Sequence, residues 1–388
     1  MINKKIDQKK LMYVMALLLW FSQYIYMPYQ TPYLVAIGVA SPVIGVVVGA
    51  YGFPQMLLRF PFGIMADRRP RHKFFITLGV ALAGLASVSR IFIQGEWGFL
   101  IGSVLSGIAS STWVSVMIVH TGLFGKKEQA MATGQMFSAS NLGILLAFVF
   151  ASAAYEGMGM FFLCWVGITS SAVAIALSLF VREPEGVAEP RPVKELVSVI
   201  KNKELVLFAV FNLVQQGIVA STALSFTTQI AKTLSTSDLQ VGLCSVIYIL
   251  TAVLSAAFTG RKPFDRLGAK VMIPVILLGL FAYCLIVPNV QSIYVLYAVQ
   301  VLAGFSQGMF LSYCTTEGVK NVPPEKKSTA MGFYQSVYAV GLTVFPVIAG
   351  TVVQAVGMSS AYYVLSVIVA VAFVAAAMYY KKKRQTSI

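Results

Sequence analysis

Long apolar runs, separated by short charged or turn-forming breaks, follow one another along the whole chain. There are six runs in each half, near 11–37, 41–66, 74–95, 97–122, 127–154 and 158–181, and then 204–231, 237–259, 270–288, 291–317, 327–354 and 359–380. Each run has roughly the 20 residues that cross a hydrocarbon core of about 30 Å. Backbone that faces lipid must satisfy its own hydrogen bonds, so each run should be helical. The pattern predicts an all-α membrane protein with twelve transmembrane helices.

Composition supports this prediction and excludes a soluble catalytic domain. The 388 residues are 58% hydrophobic and 11% charged, with a mean hydropathy of +0.79, whereas soluble domains carry about 25% charged residues. The first run is too long for the core of a signal peptide and is expected to be retained. The four cysteines, Cys164, Cys244, Cys284 and Cys314, lie in apolar runs without close pairs and are interpreted as packing residues.

Positive charge is distributed asymmetrically along the chain. The net charge is +15, and 26 of the 29 Lys and Arg residues fall in the N-terminus, the even-numbered loops and the C-terminal tail. Cytoplasmic loops retain Lys and Arg, so both termini are predicted to be cytoplasmic, in a multi-pass protein of the plasma membrane. The charge is therefore a topology signal, with the lipid bilayer as partner and no nucleic acid.

The two halves of the sequence form an internal repeat. At an offset of 198 residues, Asp67-Arg68 superposes on Asp265-Arg266, Gly134 on Gly332, and Gly143 on Gly341. Six spans return the chain to its starting side, so the repeats are predicted to be parallel, which is typical of transporters. We predict an N-terminal bundle at 1–181, a cytoplasmic linker at 182–203 with an amphipathic surface stretch at 193–200, and a C-terminal bundle with a basic tail at 204–388.

A charged motif follows the second run, and a partial copy follows the eighth. The first contains Gly63, Asp67, Arg68 and Arg71, then His72 and Lys73, with Pro70 in the place of a glycine. The second contains Asp265, Arg266, Gly268 and Lys270, with Arg261 in the place of the first glycine. This pattern resembles the signature loop of the major facilitator superfamily. The resemblance covers the whole chain and implies that family's fold and transport activity, but no particular substrate.

The motif also predicts a latch. Gly63 and Asp67 are four residues apart and share one helix face, where a small residue permits close helix approach beside a carboxylate. The resemblance implies that Asp67 and Arg71 pair across the two halves and hold the outward-facing state. The alternative is that the motif residues are ordinary loop charges, which accounts for the Lys and Arg residues but not for Asp67.

Three basic residues lie within apolar runs, where charge is costly and usually functional. Arg90 and Lys232 lie near the outer ends of their runs, and we expect them to extend towards water, with Glu96 or Asp238 as partners. Arg59 lies about 10 Å inside the boundary at 1.5 Å per residue. It either binds a substrate carboxylate or phosphate, or has the favoured role of a structural partner beneath the latch.

Polar and aromatic residues cluster on the runs that line the central cavity of the superfamily. The candidate cavity residues are Gln23, Tyr26, Gln30, Arg59, Trp113, Asn141, Gln215, Gln216, Gln307, Gln335 and Tyr338. Amides, phenols and aromatic faces suit a neutral or weakly anionic amphiphile. The alternative is that these amides join helices to one another. No Asp or Glu lies in the middle of a run, so a coupling ion is left open.

The sequence therefore predicts a secondary active transporter that moves a small organic solute by alternating access. It is expected to act as a monomer, without a metal or cofactor. Drug or metabolite export, anion uptake and a transporter-like sensor remain alternatives. The chain has neither the His pair of a zinc protease, nor a nucleophile elbow, nor a phosphate-binding Gly-Lys-Ser/Thr loop, which argues against an enzyme and an ATP-driven pump.

Overall fold

The computed structural model describes residues 7–66, 72–125, 128–182, 192–235, 237–259, 264–323 and 326–385. Within these ranges the chain is helical, and no β-strand occurs. In the first half, span one comprises Gln8–Tyr24 and Met27–Ala36, span two Ser41–Gly49 and Gly52–Ala66, span three His72–Phe92, and span four Gly95–Ser111 and Trp113–Gly122. In the second half, span seven comprises Lys203–Ser221, a π-helix at Thr222–Phe226 and Thr227–Leu234; spans eight to twelve are Asp238–Phe258, Phe264–Ile286, Ile293–Val319, Lys327–Val356 and Met358–Gln385.

Spans five and six are two helices within Gln129–Ser178, and they are separated by a break at Gly159. A single straight helix of 50 residues would extend about 75 Å, more than twice the hydrocarbon thickness. Gly159 has a φ of 73°, a conformation that glycine adopts at little cost, and it turns the chain back. The described chain has 11 apolar helices long enough to span a membrane. Division of the longest at Gly159 gives the twelve predicted spans.

Both ends of the described chain lie on one side of the bundle. At the start of span one, Gln8 Nε2 donates to the carbonyl oxygen of Phe180 at the end of span six, at 3.1 Å. At the end of span twelve, Lys383 Nζ lies 3.0 Å from Glu204 Oε1 at the start of span seven. We call this side of the bundle the terminal side and the opposite side the far side.

One pair of equivalent glycines, Gly143 and Gly341, packs in the same way in the two repeats. A β-carbon added to Gly143 of span five would overlap the carbonyl oxygen of Leu17 in span one, and one added to Gly341 of span eleven would overlap that of Leu213 in span seven. Spans one and five thus cross as closely as spans seven and eleven. The fold is the predicted pair of six-helix parallel repeats.

The halves meet along the whole length of spans two and eleven. Towards the far side, a β-carbon at Gly45 would overlap the carbonyl oxygen of Pro346. Towards the terminal side, a β-carbon at Gly63 would lie 2.7 Å from the carbonyl oxygen of Ser328, and one at Gly332 would lie 2.5 Å from that of Arg59. Glycine is required at this interface because the two backbones are in direct contact.

The described part of the linker is helical, as the amphipathic pattern predicts. It forms a short α-helix, Val193–Val197, followed by a 3₁₀ turn, Ser198–Lys201. Leu196 and Val199 are buried. Glu195 lies 3.5 Å from Lys326, beside the start of span eleven. The location of this helix at the membrane surface and the division of the chain at residues 181 and 204 stay predictions.

Candidate substrate cavity

A cavity of about 170 Å³ lies between the two halves. It is lined by spans one, two, four and five of the first repeat and by spans seven, eight, ten and eleven of the second. One water needs only about 10–15 Å³ of such space, so the cavity has room for a solute. Its position between the repeats is where the transporters of this architecture bind their substrates.

The cavity brings together nine of the eleven residues predicted to line it. These are Tyr26, Gln30, Arg59, Trp113, Asn141, Gln216, Gln307, Gln335 and Tyr338. The other two, Gln23 and Gln215, are buried behind the lining. Gln23 Oε1 accepts a hydrogen bond from Ser110 Oγ at 2.9 Å, which joins spans one and four. Gln23 therefore joins two helices, as in the alternative interpretation of the polar residues.

Gln215 supports the lining from behind. Its Nε2 donates to Gln307 Oε1 at 3.1 Å, and Nε2 of the neighbouring Gln216 donates to the same oxygen at 3.3 Å. Two adjacent amides of span seven therefore fix one amide of span ten. Gln216 and Gln307 face the cavity, so this cluster both joins helices and presents polar groups to a solute.

Arg59 connects the two halves across the cavity. Its side chain is buried, its Nη1 donates to the hydroxyl of Tyr338 in span eleven, and its guanidinium carbon lies 5.3 Å from the centre of that ring. Arg59 Nε is buried without a hydrogen-bond partner. The sequence left a structural and a substrate-binding role open, and the geometry contains elements of both: a partner in the other half and a position in the lining.

Much of the wall that span two contributes was not predicted from the sequence. Tyr51, Gln55 and Arg59 all line the cavity and are spaced four residues apart, so they share one helix face. The Tyr51 hydroxyl forms a hydrogen bond with Ser110 Oγ at 2.8 Å, and Gln55 Nε2 donates to the carbonyl oxygen of Tyr51 at 2.8 Å. Tyr51 and Gln55 precede Arg59 at intervals of four residues, and this spacing is the signal in the sequence that identifies the face.

Six further aromatic side chains line the cavity. Trp20 lies edge to face with Trp113 at 5.4 Å between ring centres, and at 5.5 Å from Tyr24. Trp20 and Tyr24 are lining residues that were not predicted from the sequence, and so are Phe137, Phe148, Tyr248 and Tyr334. Apolar runs contain many aromatic residues, and only the tertiary structure separates those that face the cavity from those that face lipid.

The expectation for Arg90 was wrong. It was expected to extend towards water at the end of span three, but its side chain is 1% exposed. Its guanidinium donates to Tyr26 OH at 2.6 Å and to the carbonyl oxygen of Ala86 at 2.9 Å, and its carbon lies 3.7 Å from the centre of the Tyr26 ring. Spans one, three and four enclose it, and Gly102 of span four leaves room for its head group. Lys232 has the expected exposed ion pair with Asp238.

On the far side the halves are joined by hydrogen bonds. Tyr29 OH donates to the carbonyl oxygen of Asp238 at 2.7 Å, and the hydroxyls of Thr31 and Ser225 lie 2.9 Å apart. These bonds connect span one with spans seven and eight. They close the cavity towards the far side.

On the terminal side the two repeats differ. Gly332 of span eleven packs against span two, whereas its repeat mate Gly134 in span five has no atom of a neighbouring element within 4 Å of an added β-carbon. One turn further along span five, Phe137 lines the cavity and is 38% exposed. Span five is therefore less closely packed at Gly134 than span eleven is at Gly332.

The motif residues are only partly within the described chain. Asp67, Arg68 and Arg71 lie outside the described residues, as does the side chain of Asp265. Arg266 is exposed at the start of span nine. Gly268 has a φ of 64°, a conformation that accounts for glycine at this motif position.

Arg59 is the one charged side chain among the described residues that line the cavity. Within the described ranges, no group of three His, Cys, Asp or Glu side chains is arranged to hold a metal ion. The described fold and site define a polytopic membrane protein with a solute-sized cavity between two helical repeats.

The chain belongs to the Major Facilitator Superfamily, whose family model matches residues 12–228 and 216–387. It is similar to an uncharacterized MFS-type transporter of Methanocaldococcus jannaschii, with 22% identity over 86% of this chain and 88% of the relative. It is also similar to a homologue of the multi-drug resistance efflux pump PmrA in Lactococcus lactis, with 24% identity over 84% and 83%. A crystal structure of a nucleoside transporter has the same fold, with a TM-score of 0.75 and 15% identity over 95% of this chain and all of the other.

Proposed function

We propose that this protein is a secondary active transporter that moves a small organic solute across the plasma membrane by alternating access. The cavity carries the proposal, because both repeats contribute to its walls. If one repeat rocks against the other, the same lining residues become accessible first from one side of the membrane and then from the other. The far-side hydrogen bonds support a resting state in which the cavity is closed towards the far side.

The lining supports a neutral or weakly anionic amphiphile as the solute. Aromatic side chains offer apolar faces, and Gln30, Asn141, Gln216, Gln307 and Gln335 offer amide donors and acceptors. No carboxylate lines the cavity among the described residues, which disfavours selective binding of organic cations. Export of drugs or metabolites is the second candidate, since one relative is named as a multi-drug efflux pump.

The terminal side is proposed to be cytoplasmic, on the distribution of Lys and Arg along the chain. Gly63 supports the latch proposed for Asp67 and Arg71, because it lies against Ser328 in the first turn of span eleven. A helix N-terminus carries a partial positive charge that attracts a carboxylate. The chain is proposed to work as a monomer, with a coupling ion left open.

The test is solute flux in reconstituted proteoliposomes. Solutes are first selected by their effect on the melting temperature of the purified protein, because specific binding raises apparent stability. A selected solute should then cross the membrane of proteoliposomes but not of protein-free liposomes. If selected solutes bind but none crosses in either direction, the protein is a sensor and not a transporter. Comparison of flux with and without a pH gradient tests proton coupling.

A further inference from the structure

Arg59 is a buried cation with no carboxylate partner among the described residues. Its side chain is 4% exposed. The ion pairs of the described chain join Lys232 with Asp238, Lys326 with Glu195, and Lys383 with Glu204, and none includes Arg59. A buried charge without a counter-charge is costly, and in membrane proteins it usually marks a functional site. Arg59 is therefore arranged to receive an anion that no described residue supplies.

The hydrogen bonds of Arg59 leave one particular edge of the guanidinium unused. Nη1 donates to Tyr338, whereas Nε has no partner and Nη2 makes no hydrogen bond to a described residue. Nε and Nη2 point in the same direction and form the edge that binds the two oxygens of a planar carboxylate. Tyr338 holds the guanidinium by the nitrogen outside that edge, so it orients the group without competing for the edge.

A second buried cation lies behind the same cavity. The Arg90 guanidinium contacts Tyr26, which is a lining residue, and no described carboxylate pairs with Arg90 either. Charges act over longer distances in a low-dielectric interior than in water. Both arginines belong to the first repeat, and both give the cavity a positive potential that attracts anions and repels cations.

The rest of the lining indicates the body of such an anion. Trp20, Trp113 and Tyr24 form an aromatic cluster on the cavity wall. Aromatic faces of this kind bind flat apolar groups by stacking and edge contacts. The cavity therefore combines one planar cationic group with a wall that contains aromatic rings.

On these grounds we infer that the solute is an organic monoanion with a carboxylate on a planar apolar body, bound through Arg59. This inference rests on the proposed function and names the substrate class of the same cavity. It assigns Tyr338 as the positioning residue for Arg59.

The experiment compares aryl carboxylates with their uncharged amides of the same shape. The probes are benzoate, 2-naphthoate and indole-3-acetate, each with its carboxamide, and their affinities for the purified protein are measured by calorimetry. At least one carboxylate should bind at least about tenfold more tightly than its amide, because charge-assisted bidentate hydrogen bonds are about twice as strong as neutral ones. Equal affinities within every pair, or no binding of any carboxylate, would overturn the inference.

Variants assign the preference to Arg59. Arg59→Gln should reduce the preference for the carboxylate to about onefold, and Arg59→Lys should leave an intermediate preference, since lysine keeps the charge but not the bidentate edge. Lys232→Gln removes an exposed cation on the far side and serves as the matched control, with the wild-type preference retained. An unchanged preference in Arg59→Gln contradicts the inference.

Tyr338→Phe tests the same guanidinium edge without a change of Arg59, so the inference can still be tested if the arginine variants misfold. It removes the partner of Nη1 and leaves the Nε and Nη2 edge in place. The preference for the carboxylate should survive, although both affinities are expected to fall. Complete loss of the preference in Tyr338→Phe would mean that the hydroxyl and not the guanidinium edge recognises the solute. If neutral solutes cross proteoliposomes with no preference for anions, the inference fails and the proposed transport function stands.

Discussion

Arg90 of span three donates a hydrogen bond to the phenolic oxygen of Tyr26 in span one at 2.6 Å, and its guanidinium lies over the face of the same ring. Tyr26 occupies the junction between Gln8–Tyr24 and Met27–Ala36, the two helices of span one. The arginine thus supports the span at the point where its helix is interrupted. The far-side segment of span one carries Tyr29 and Thr31, which bond to the other half.

Replacement of Arg90 should destabilise the protein. Arg90→Gln removes the contact with the Tyr26 ring and the charged hydrogen bonds to Tyr26 and Ala86, and a hydrogen bond to a charged group contributes about 1.5–3 kcal/mol. We expect the free energy of unfolding to fall by about 2 kcal/mol, measured by thermal unfolding in detergent. Lys232→Gln, at an exposed pair, should change it by less than about 1 kcal/mol. Equal effects of the two changes would contradict a structural role for Arg90.

Residues larger than glycine should not be tolerated where spans two and eleven pack closely. Gly45→Val would place a side chain against the backbone of Pro346 and force the spans apart. We expect a loss of about 1–3 kcal/mol of stability, as for other overpacked sites, together with reduced flux in proteoliposomes.

Gly134→Val is the matched control for Gly45→Val. An added β-carbon at Gly134 meets no atom of a neighbouring element within 4 Å, and the position is exposed. The substitution should leave stability within about 0.5 kcal/mol of the wild type, as for other surface sites. Similar losses at Gly45 and Gly134 would show that the interface of spans two and eleven is not specially constrained.

The Tyr29 hydroxyl should hold the far side closed. Tyr29→Phe removes the hydrogen bond to the Asp238 carbonyl, whose net contribution is about 0.5–1.5 kcal/mol. The far side should therefore open more often, by roughly 2- to 10-fold. The measurement is the rate at which an impermeant maleimide added from the far side labels a cysteine introduced at Gln30, since the four native cysteines are buried. Tyr33→Phe, in the same span, should leave that rate unchanged.

Asp67→Asn tests the latch. The residue lies outside the described chain, but it follows Gly63 by four residues, and Gly63 contacts the first turn of span eleven. Loss of the negative charge that the latch proposal assigns to the N-terminus of span eleven should weaken the closure of the two halves, by about 0.3–1 kcal/mol. We expect insertion and yield to be normal and flux to fall. Normal flux in this variant would contradict the latch and favour the alternative that the motif residues are ordinary loop charges.

Topology can be tested with a cysteine at position 381. Lys381 is exposed on the terminal side, which is proposed to be cytoplasmic. Lys381→Cys should resist an impermeant maleimide in intact cells and react after permeabilisation. Gln94→Cys, exposed on the far side between spans three and four, should react in both preparations. The reverse pattern would invert the proposed orientation.

Much of the architecture could be predicted from the sequence, because it depends on local and one-dimensional properties. Span length, the requirement for internal hydrogen bonding in lipid and the repeat offset together indicated twelve helices in two repeats. The break between spans five and six was predicted between residues 154 and 158, and the structure has it at Gly159. Nine of eleven predicted residues line the cavity, because polar side chains within apolar runs must face other protein groups or a cavity.

The partner of each side chain was decided only by the tertiary structure. Arg90 lies near the end of its run, as the sequence indicates, yet it is buried, because the packing of spans one and four over span three closes its route to water. Gln23 is likewise polar within an apolar run, but it accepts a hydrogen bond from Ser110 of a neighbouring helix and does not line the cavity. Sequence periodicity identifies the face of a helix, whereas which helix or cavity meets that face depends on contacts between residues far apart in the chain.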